Sequence, residues 1–346
     1  MNRHSSTPQH EPVVHGGTDA QGAPQWDFST NNNAAGPCPA TQAALAAADA
    51  HRYPNPSYTQ LRNALATFHG VDGARILIGA SGSELITRIT CATALRCNQP
   101  GIVWLPPHAY ADYAHAARHH GLANSSHAHD MVRADLIWLC APSSPHGQAL
   151  ALPSAWHARR PDSTTVLDCA YAPLQLTATP IAPGLDPHAV WQIWTPNKAL
   201  GLCGIRAAYA IASANVAPQK IHQLEALAPS WAIGAHGEAL LHSWCQAATQ
   251  AWLQQARQTL QQWKRQQLAW LNRLGWACMP SETHFWVARP HLPAAYNDVP
   301  QLLAYLRKHH IKLRDCASFG LPGHVRLCAH TPPAQQALEQ ALRQLT

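Results

Sequence analysis

Lys198 is the residue whose setting most favours covalent chemistry. It lies in the run Thr195-Pro-Asn-Lys198-Ala-Leu-Gly-Leu-Cys-Gly-Ile-Arg206, directly after an apolar segment that ends at Trp194 and is predicted to be a strand. A lysine amine can bond covalently to a carbonyl group, and strand ends are where such a group is well placed. The same pattern is compatible with a lysine that is simply solvated in a loop. Its role therefore depends on what else lies near it.

Two other strand ends carry groups that could serve an anionic ligand. Residues 79–86, Gly-Ala-Ser-Gly-Ser-Glu-Leu-Ile, join a predicted strand to a predicted helix, so their backbone amides and the helix N-terminus can bind a phosphate. Such small-residue turns are also common without a ligand. Asp168 closes an apolar strand that begins at Thr164, where an acid can serve chemistry or only cap a helix.

Alternating strands and helices must position these groups. From about residue 74 to 212, short apolar runs alternate with helical patterns, which is typical of a mostly parallel, doubly wound sheet. Ligands in such folds bind beyond the carboxyl ends of the strands. The predicted strands are 74–79, 101–105, 135–140, 164–168, 189–194 and 207–212, and the predicted helices between them are 83–97 and 111–121.

The pattern changes after about residue 215 to long helices. Apolar residues recur on one face through about residue 274 without a sustained heptad, which favours one long helix linking two domains over a coiled coil. The length of 346 residues also favours two domains. The remaining predicted elements are strands 285–287 and 325–328 and helices 298–309 and 332–345, and the predicted division is an N-terminal arm 1–40, a large domain 41–245 and a small domain 246–346.

Composition excludes several classes of protein. Only 12% of residues are charged, and the formal charge of +6 is scattered, which argues against a nucleic-acid partner. No window approaches the roughly 18 apolar residues of a membrane span, and residues 1–11 are polar, so we expect a cytoplasmic protein. The 10 cysteines occur singly, as expected for buried thiols in a reducing compartment.

A metal site is not expected. His127, His129 and Asp130 could form a metal-binding pair with an acid, but they lie in a polar loop without other candidate ligands. A solvated surface is the better interpretation of this group.

In their order along the chain, these segments resemble the class I/II pyridoxal-phosphate aminotransferases. That family has Ser/Thr-x-x-Lys before Gly-Leu-x-Gly-x-Arg, and Asp-x-x-Tyr, which Asp168-Cys-Ala-Tyr171 resembles. The resemblance covers almost the whole chain. It implies an α/β, fold-type I structure with a mostly parallel seven-stranded sheet in a large domain and a smaller α/β domain.

The resemblance also implies roles for individual residues around pyridoxal 5'-phosphate. Lys198 would bind the cofactor covalently, Asp168 would keep the pyridine nitrogen protonated, and Tyr110 would stack on the ring, which makes these three the candidate catalytic residues. Tyr171 would donate to the phenolic oxygen. The candidate phosphate ligands are Ser81, Gly82, Ser83, Thr195 and Arg206.

One segment departs from the family pattern. Residues 141–147 read Ala-Pro-Ser-Ser-Pro-His-Gly, where the family usually has Asn-Pro-x-Asn-Pro-x-Gly. Ser144 therefore replaces the asparagine that bonds the phenolic oxygen. A serine can donate there only if a water molecule or a backbone shift closes the gap.

Three further segments resemble the branch that contains threonine-phosphate decarboxylases and histidinol-phosphate aminotransferases. They are His-Gly-Gly at 15–17 with Asp-Phe-Ser-Thr-Asn at 27–31, Arg-Tyr-Pro-Asn-Pro-Ser-Tyr at 52–58, and Leu-Arg-Asp-Cys-Ala-Ser-Phe-Gly-Leu at 313–321. The third favours the decarboxylase. Arg326 would bind the substrate carboxylate, and Arg314 and Asn31 are candidates for binding the substrate's acid groups. Tyr53 would reach the partner's cofactor phosphate, which implies a homodimer with shared active sites.

Three functions follow from this resemblance. The first is decarboxylation of L-threonine O-3-phosphate to 1-amino-2-propanol phosphate in cobalamin biosynthesis, which implies a small, phosphorylated amino-acid substrate. The second is a histidinol-phosphate-type aminotransferase. A non-catalytic binding protein is the third, and intact Lys198, Asp168 and Arg206 argue against it. The segment between His15 and Asp27 is shorter than expected for the decarboxylase.

Overall fold

The computed structural model describes residues 15–97, 99–180, 182–293 and 296–345. The polar segment 1–11 and the first part of the predicted N-terminal arm lie outside these residues. The strands are β1 (Trp26–Asp27), β2 (Ile76–Gly79), β3 (Ile102–Trp104), β4 (Ala123–Ser125), β5 (Leu136–Cys140), β6 (Thr164–Asp168), β7 (Trp191–Trp194), β8 (Ala208–Ile211), β9 (Ala277–Cys278), β10 (Phe285–Arg289), β11 (Ile311–Lys312), β12 (Arg314–Asp315) and β13 (Val325–Cys328).

Helices flank these strands along the chain. They are α1 (Pro39–Ala46), α2 (Thr59–His69), α3 (Gly82–Ala94), α4 (Ala111–His119), α5 (Ala128–Met131), α6 (Pro218–Ala226), α7 (Ala235–Trp244), α8 (Ala247–Arg273), α9 (Val299–Lys308) and α10 (Pro332–Arg343).

A seven-stranded, mostly parallel sheet places the carboxyl ends of its strands together. Its order is β2-β8-β7-β6-β5-β3-β4, and β8 is antiparallel to both neighbours. The inner strand β5, with sequence Leu-Ile-Trp-Leu-Cys, is buried throughout, as a strand covered on both faces must be. The predicted α/β fold with a seven-stranded sheet is therefore confirmed.

The edge of this sheet differs from the sequence prediction. Strand β4, with sequence Ala-Asn-Ser, pairs with β3 but is largely exposed, so it has no apolar run by which a strand could be recognised. The predicted strand 189–194 begins only at Trp191, because Pro187–Ala189 forms a 3-10 turn. The predicted helix 83–97 ends at Ala94.

A second, antiparallel sheet lies in the C-terminal part of the chain, with the order β12-β13-β10-β9. The N-terminal segment joins this part, because β1 pairs in parallel with β11. Helix α8 has 27 residues and buries Leu253, Leu260 and Leu271 in a core shared by both parts of the chain. The division of the chain at residues 40 and 245 stays a prediction.

Candidate active site

A cavity of about 270 Å³ lies beyond the carboxyl ends of the central strands. It brings together side chains from segments that are far apart in sequence, including the second sheet. The predicted site residues that line it are Ser81, Gly82, Ser83, Tyr110, Ser144, Asp168, Tyr171, Thr195, Lys198, Arg206, Arg314 and Arg326.

Lys198 is held at the cavity by a tight loop after β7. The Lys198 carbonyl accepts hydrogen bonds from the backbone amides of Asn33 (3.0 Å) and Gly201 (3.2 Å). Gly201 has φ +73°, and a Cβ there would lie 3.0 Å from the Cα of Pro37, so only glycine fits this approach. The Lys198 amine lies 5.4 Å from the centre of the Tyr171 ring.

Asp168, the last residue of β6, is a buried acid, and both of its carboxylate oxygens accept hydrogen bonds. The Tyr113 hydroxyl donates to Oδ2 at 2.6 Å, and the backbone amide of Ala170 donates to Oδ1 at 2.9 Å. Burial nevertheless raises the pKa of Asp168 above its ordinary value, although these bonds and the Lys198 charge oppose the rise. A cationic partner in the cavity would restore the charged form of the carboxylate.

One end of the cavity, where Gly82 and Thr195 are adjacent, suits a phosphate. Helix α3 begins at Gly82 and directs its first backbone amides there, while the Ser81 side chain caps the helix by accepting from the Glu84 amide at 3.0 Å. The Thr195 hydroxyl is buried and has no hydrogen-bond partner among the described residues. Arg206 lines the same cavity. An anionic oxygen at this end would satisfy both the hydroxyl and the guanidinium.

Tyr110 forms part of the cavity wall. Its hydroxyl lies 3.4 Å from the Ser83 hydroxyl, which also donates to Asp112 at 2.5 Å. Burial raises the pKa of Tyr110 well above its ordinary value, so the phenol stays neutral. The ring is edge-on to Tyr113, with 5.8 Å between the two ring centres.

Two buried arginines form another wall. Arg314 and Arg326 are paired across β12 and β13, so their side chains lie on the same face of the small sheet. Both contact the Phe319 ring, with their guanidinium carbons 5.0 and 5.6 Å from its centre. Burial, and then the Arg326 charge, lowers the pKa of Arg314. Two like charges in one buried wall favour an anionic ligand.

Two predicted site residues do not line this cavity. Asn31 is fully buried and donates through Nδ2 to the Tyr171 hydroxyl at 3.3 Å, so it lies behind a wall residue. Tyr53 is 78% exposed and stacks on Trp231, with 4.4 Å between the ring centres. Within this chain, Tyr53 is therefore a surface residue.

Other residues at the site were not singled out from the sequence. Tyr113 follows Tyr110 by three residues, the spacing that places two side chains on one helix face. Asn197 shapes the lysine loop by donating to the carbonyls of Cys203 and Ile205, both at 3.4 Å. Phe319 lies within the segment 313–321, but only its contacts with Arg314 and Arg326 indicate its role.

The residues present fit pyridoxal phosphate. The cavity wall combines the lysine with a buried acid suited to a ring nitrogen and an unsatisfied hydroxyl suited to a phosphate. Within the described residues, no group of three or more His, Cys, Asp or Glu side chains could hold a metal ion. Nor does any described helix have the length and apolar character of a membrane span.

Comparison with known proteins agrees with this geometry. A histidinol-phosphate aminotransferase from Roseobacter denitrificans is 28% identical over 332 residues, which cover 89% of this chain and 88% of the relative. A solved histidinol-phosphate aminotransferase from Sinorhizobium meliloti, in complex with pyridoxal-5'-phosphate, superposes with a TM-score of 0.75 at 21% identity and covers 91% of this chain and 90% of its own.

A second solved structure has the same fold. L-threonine-O-3-phosphate decarboxylase from Porphyromonas gingivalis superposes with a TM-score of 0.73 at 23% identity and covers 92% of this chain and 98% of its own. The family model for aminotransferase class I and II matches residues 23–345. This chain therefore belongs to the class I and II aminotransferases.

Proposed function

We propose that this pyridoxal-phosphate enzyme decarboxylates L-threonine O-3-phosphate, releasing carbon dioxide and 1-amino-2-propanol phosphate. The observation that supports this substrate is the convergence of Arg314 and Arg326 on Phe319 in one wall of the cavity that holds Lys198. A substrate with both a carboxylate and a phosphate has one anionic group for each guanidinium. An amino acid with a single carboxylate needs only one of them.

Amino transfer from histidinol phosphate is the second candidate. The name of the Roseobacter relative favours it, as does that of the Sinorhizobium structure. The experiment that separates the two measures carbon dioxide release from O-phosphothreonine beside amino transfer from histidinol phosphate to a 2-oxo acid. Release of carbon dioxide without a 2-oxo acid supports the decarboxylase, and amino transfer alone contradicts it.

In either reaction, different residues of this chain bind the substrate, move the proton and stabilise the cofactor. Bound pyridoxal phosphate supplies a sink for the electrons released when a bond to the substrate α carbon breaks. Arg314 and Arg326 bind the acid groups and so orient the α carbon, which selects the bond that breaks. The Lys198 amine, at the cavity wall, moves the proton to or from that carbon. Asp168, in the cavity wall, would hold a negative charge beside the ring nitrogen of the bound cofactor.

We predict that Arg314→Ala selectively weakens binding of the phosphorylated substrate. If Arg314 binds the distal phosphate, its loss should cost about 1.5–3 kcal/mol in apparent binding of O-phosphothreonine, the range for hydrogen bonds to a charged group. Binding of threonine itself should barely change. Steady-state kinetics or competition with both amino acids provides the measurement, and Arg289→Ala, an exposed arginine of β10, is the control. Equal losses for both amino acids would show that Arg314 serves the common carboxylate or the fold.

We also propose a homodimer with shared active sites. Tyr53 and Trp231 are large aromatic residues that are 78% and 42% exposed, and they stack on each other at the surface. An exposed aromatic pair of this kind suits a protein interface. In the proposed dimer, the Tyr53 hydroxyl serves the cofactor phosphate of the other protomer.

Tyr53→Phe should then weaken cofactor retention, because one hydrogen bond to the phosphate is lost. We expect a rise in the cofactor dissociation constant of roughly 10-fold or more. Mixing Tyr53→Phe chains with inactive Lys198→Ala chains should recover activity, since each hybrid contains one unmutated site. Fully active monomers, or no recovery in verified hybrids, would rule out this arrangement.

We further propose that the protein works in the cytoplasm. All 10 cysteines are free thiols, and Cys38, Cys140, Cys169, Cys316 and Cys328 are buried, which suits a reducing compartment.

A further inference from the structure

Asn31 has an unusual backbone and a fixed position. It is fully buried and has φ +58°, a left-handed conformation that costs most non-glycine residues about 1–2 kcal/mol but that asparagine tolerates better. Its carbonyl accepts a hydrogen bond from Nε2 of His284 at 2.9 Å. The backbone at Asn31 is therefore held by His284, the residue directly before β10.

His284 is a neutral donor in this contact. Because a carbonyl oxygen only accepts, the proton of the ring must lie on Nε2. Burial lowers the pKa of His284 to about 3, and Nδ1 has no partner among the described residues. The imidazole consequently keeps one tautomer across the working pH range, and the position of Asn31 does not depend on pH there.

The Asn31 amide reaches the cavity only through Tyr171. Its Nδ2 donates to the Tyr171 hydroxyl at 3.3 Å, whereas Tyr171 itself lines the cavity beside Lys198. A hydroxyl that accepts one hydrogen bond directs its own proton elsewhere and becomes a stronger donor, since neighbouring bonds polarise one another. Because the Tyr171 hydroxyl accepts from Asn31, it can donate its own proton to a group inside the cavity.

The Ser144 side chain contacts the arginine wall rather than the Tyr171 hydroxyl. Arg326 donates through Nη1 to the Ser144 oxygen at 3.4 Å, which links this serine to the arginine wall. Asn31 is therefore the amide that acts on the Tyr171 hydroxyl.

We propose that Asn31 is a positioning residue that orients and polarises the Tyr171 hydroxyl towards an anionic oxygen of the bound cofactor. This inference rests on the pyridoxal-phosphate assignment and not on the identity of the substrate. It gives Asn31 a role different from the substrate contact that the sequence resemblance implies.

A pH titration of the visible absorbance of the holoenzyme, without substrate, tests this role. A hydrogen bond to the deprotonated form of a group lowers its pKa, so weakening the Tyr171 bond should raise the midpoint of the absorbance change. For Asn31→Gly, which relieves the left-handed backbone while removing the amide, we expect a rise of about 0.4–1 pH unit. Asn31→Asp, which keeps the shape but loses the donor, should shift the midpoint in the same direction.

A double-mutant cycle identifies Tyr171 as the intermediary. In a Tyr171→Phe background, Asn31→Gly should cause no further shift, because the hydroxyl on which the amide acts is absent. Asn63→Ala, at an exposed asparagine of α2 that does not line the cavity, is the matched control for loss of an asparagine amide, and its midpoint should equal that of the unmodified enzyme.

Three results would overturn the proposal. They are an unchanged midpoint in both Asn31 variants, an equal shift in the Tyr171→Phe background, and loss of cofactor binding in both Asn31 variants while Tyr171→Phe still binds it. None of these readouts uses a substrate, so a wrong assignment of the decarboxylase function would leave the test intact.

Discussion

Lys198→Ala is expected to abolish both turnover and covalent attachment of the cofactor. Lys198 lines the same cavity as the buried Asp168 and Thr195, whose hydroxyl has no partner among the described residues. Alanine has no nucleophile to bond the cofactor and no base to move the substrate proton. Borohydride reduction followed by mass spectrometry measures the attachment, and steady-state assays measure turnover. No added cofactor mass should be found on the variant.

Lys264 provides the control, because it is a buried lysine whose pKa is lowered. Burial lowers its pKa to about 8, so it is partly neutral at physiological pH and could in principle act as a nucleophile. It donates instead to the carbonyls of Ser281 at 2.7 Å and Thr283 at 2.6 Å and does not line the cavity. Lys264→Gln should keep the cofactor linkage. Covalent cofactor in Lys198→Ala that is lost in the double variant would move the assignment to Lys264.

Asp168→Asn should reduce the rate by roughly 10²-fold or more, the scale on which a positioned electrostatic group matters. The carboxylate is buried against Tyr113, and burial already raises its pKa, so its charge depends on a cationic partner in the cavity. Asparagine keeps the shape and can still accept from the Ala170 amide. We therefore expect the variant to fold and bind the cofactor, and to lose rate because the negative charge is gone.

Circular dichroism, cofactor absorbance and turnover distinguish these expectations. Asp135→Asn is a matched control, because Asp135 accepts a hydrogen bond from the Ile102 amide at the other end of the sheet and does not line the cavity. It should leave turnover close to normal. Near-normal turnover in Asp168→Asn would mean that Asp168 serves only the fold.

The sequence by itself was enough to predict the family and six of the seven strands of the large sheet. The strand 164–168 was predicted with the bounds that the structure has, because a continuous apolar run ends there in an acid. Lys198, Asp168 and the turn before α3 lie at strand ends, so the topology of a parallel sheet alone brings them together. The local sequence pattern is sufficient to predict a strand where both faces of the sheet are buried, because burial then requires apolar residues.

Only the tertiary structure decided how the other groups are arranged around that centre. The pairing of Arg314 with Arg326 depends on the register of two short strands, which no local pattern reveals. Asn31 lies behind Tyr171 because a contact with His284, more than 250 positions away along the chain, holds its backbone. Such positions follow from packing between distant segments, whose geometry is fixed only when the core closes.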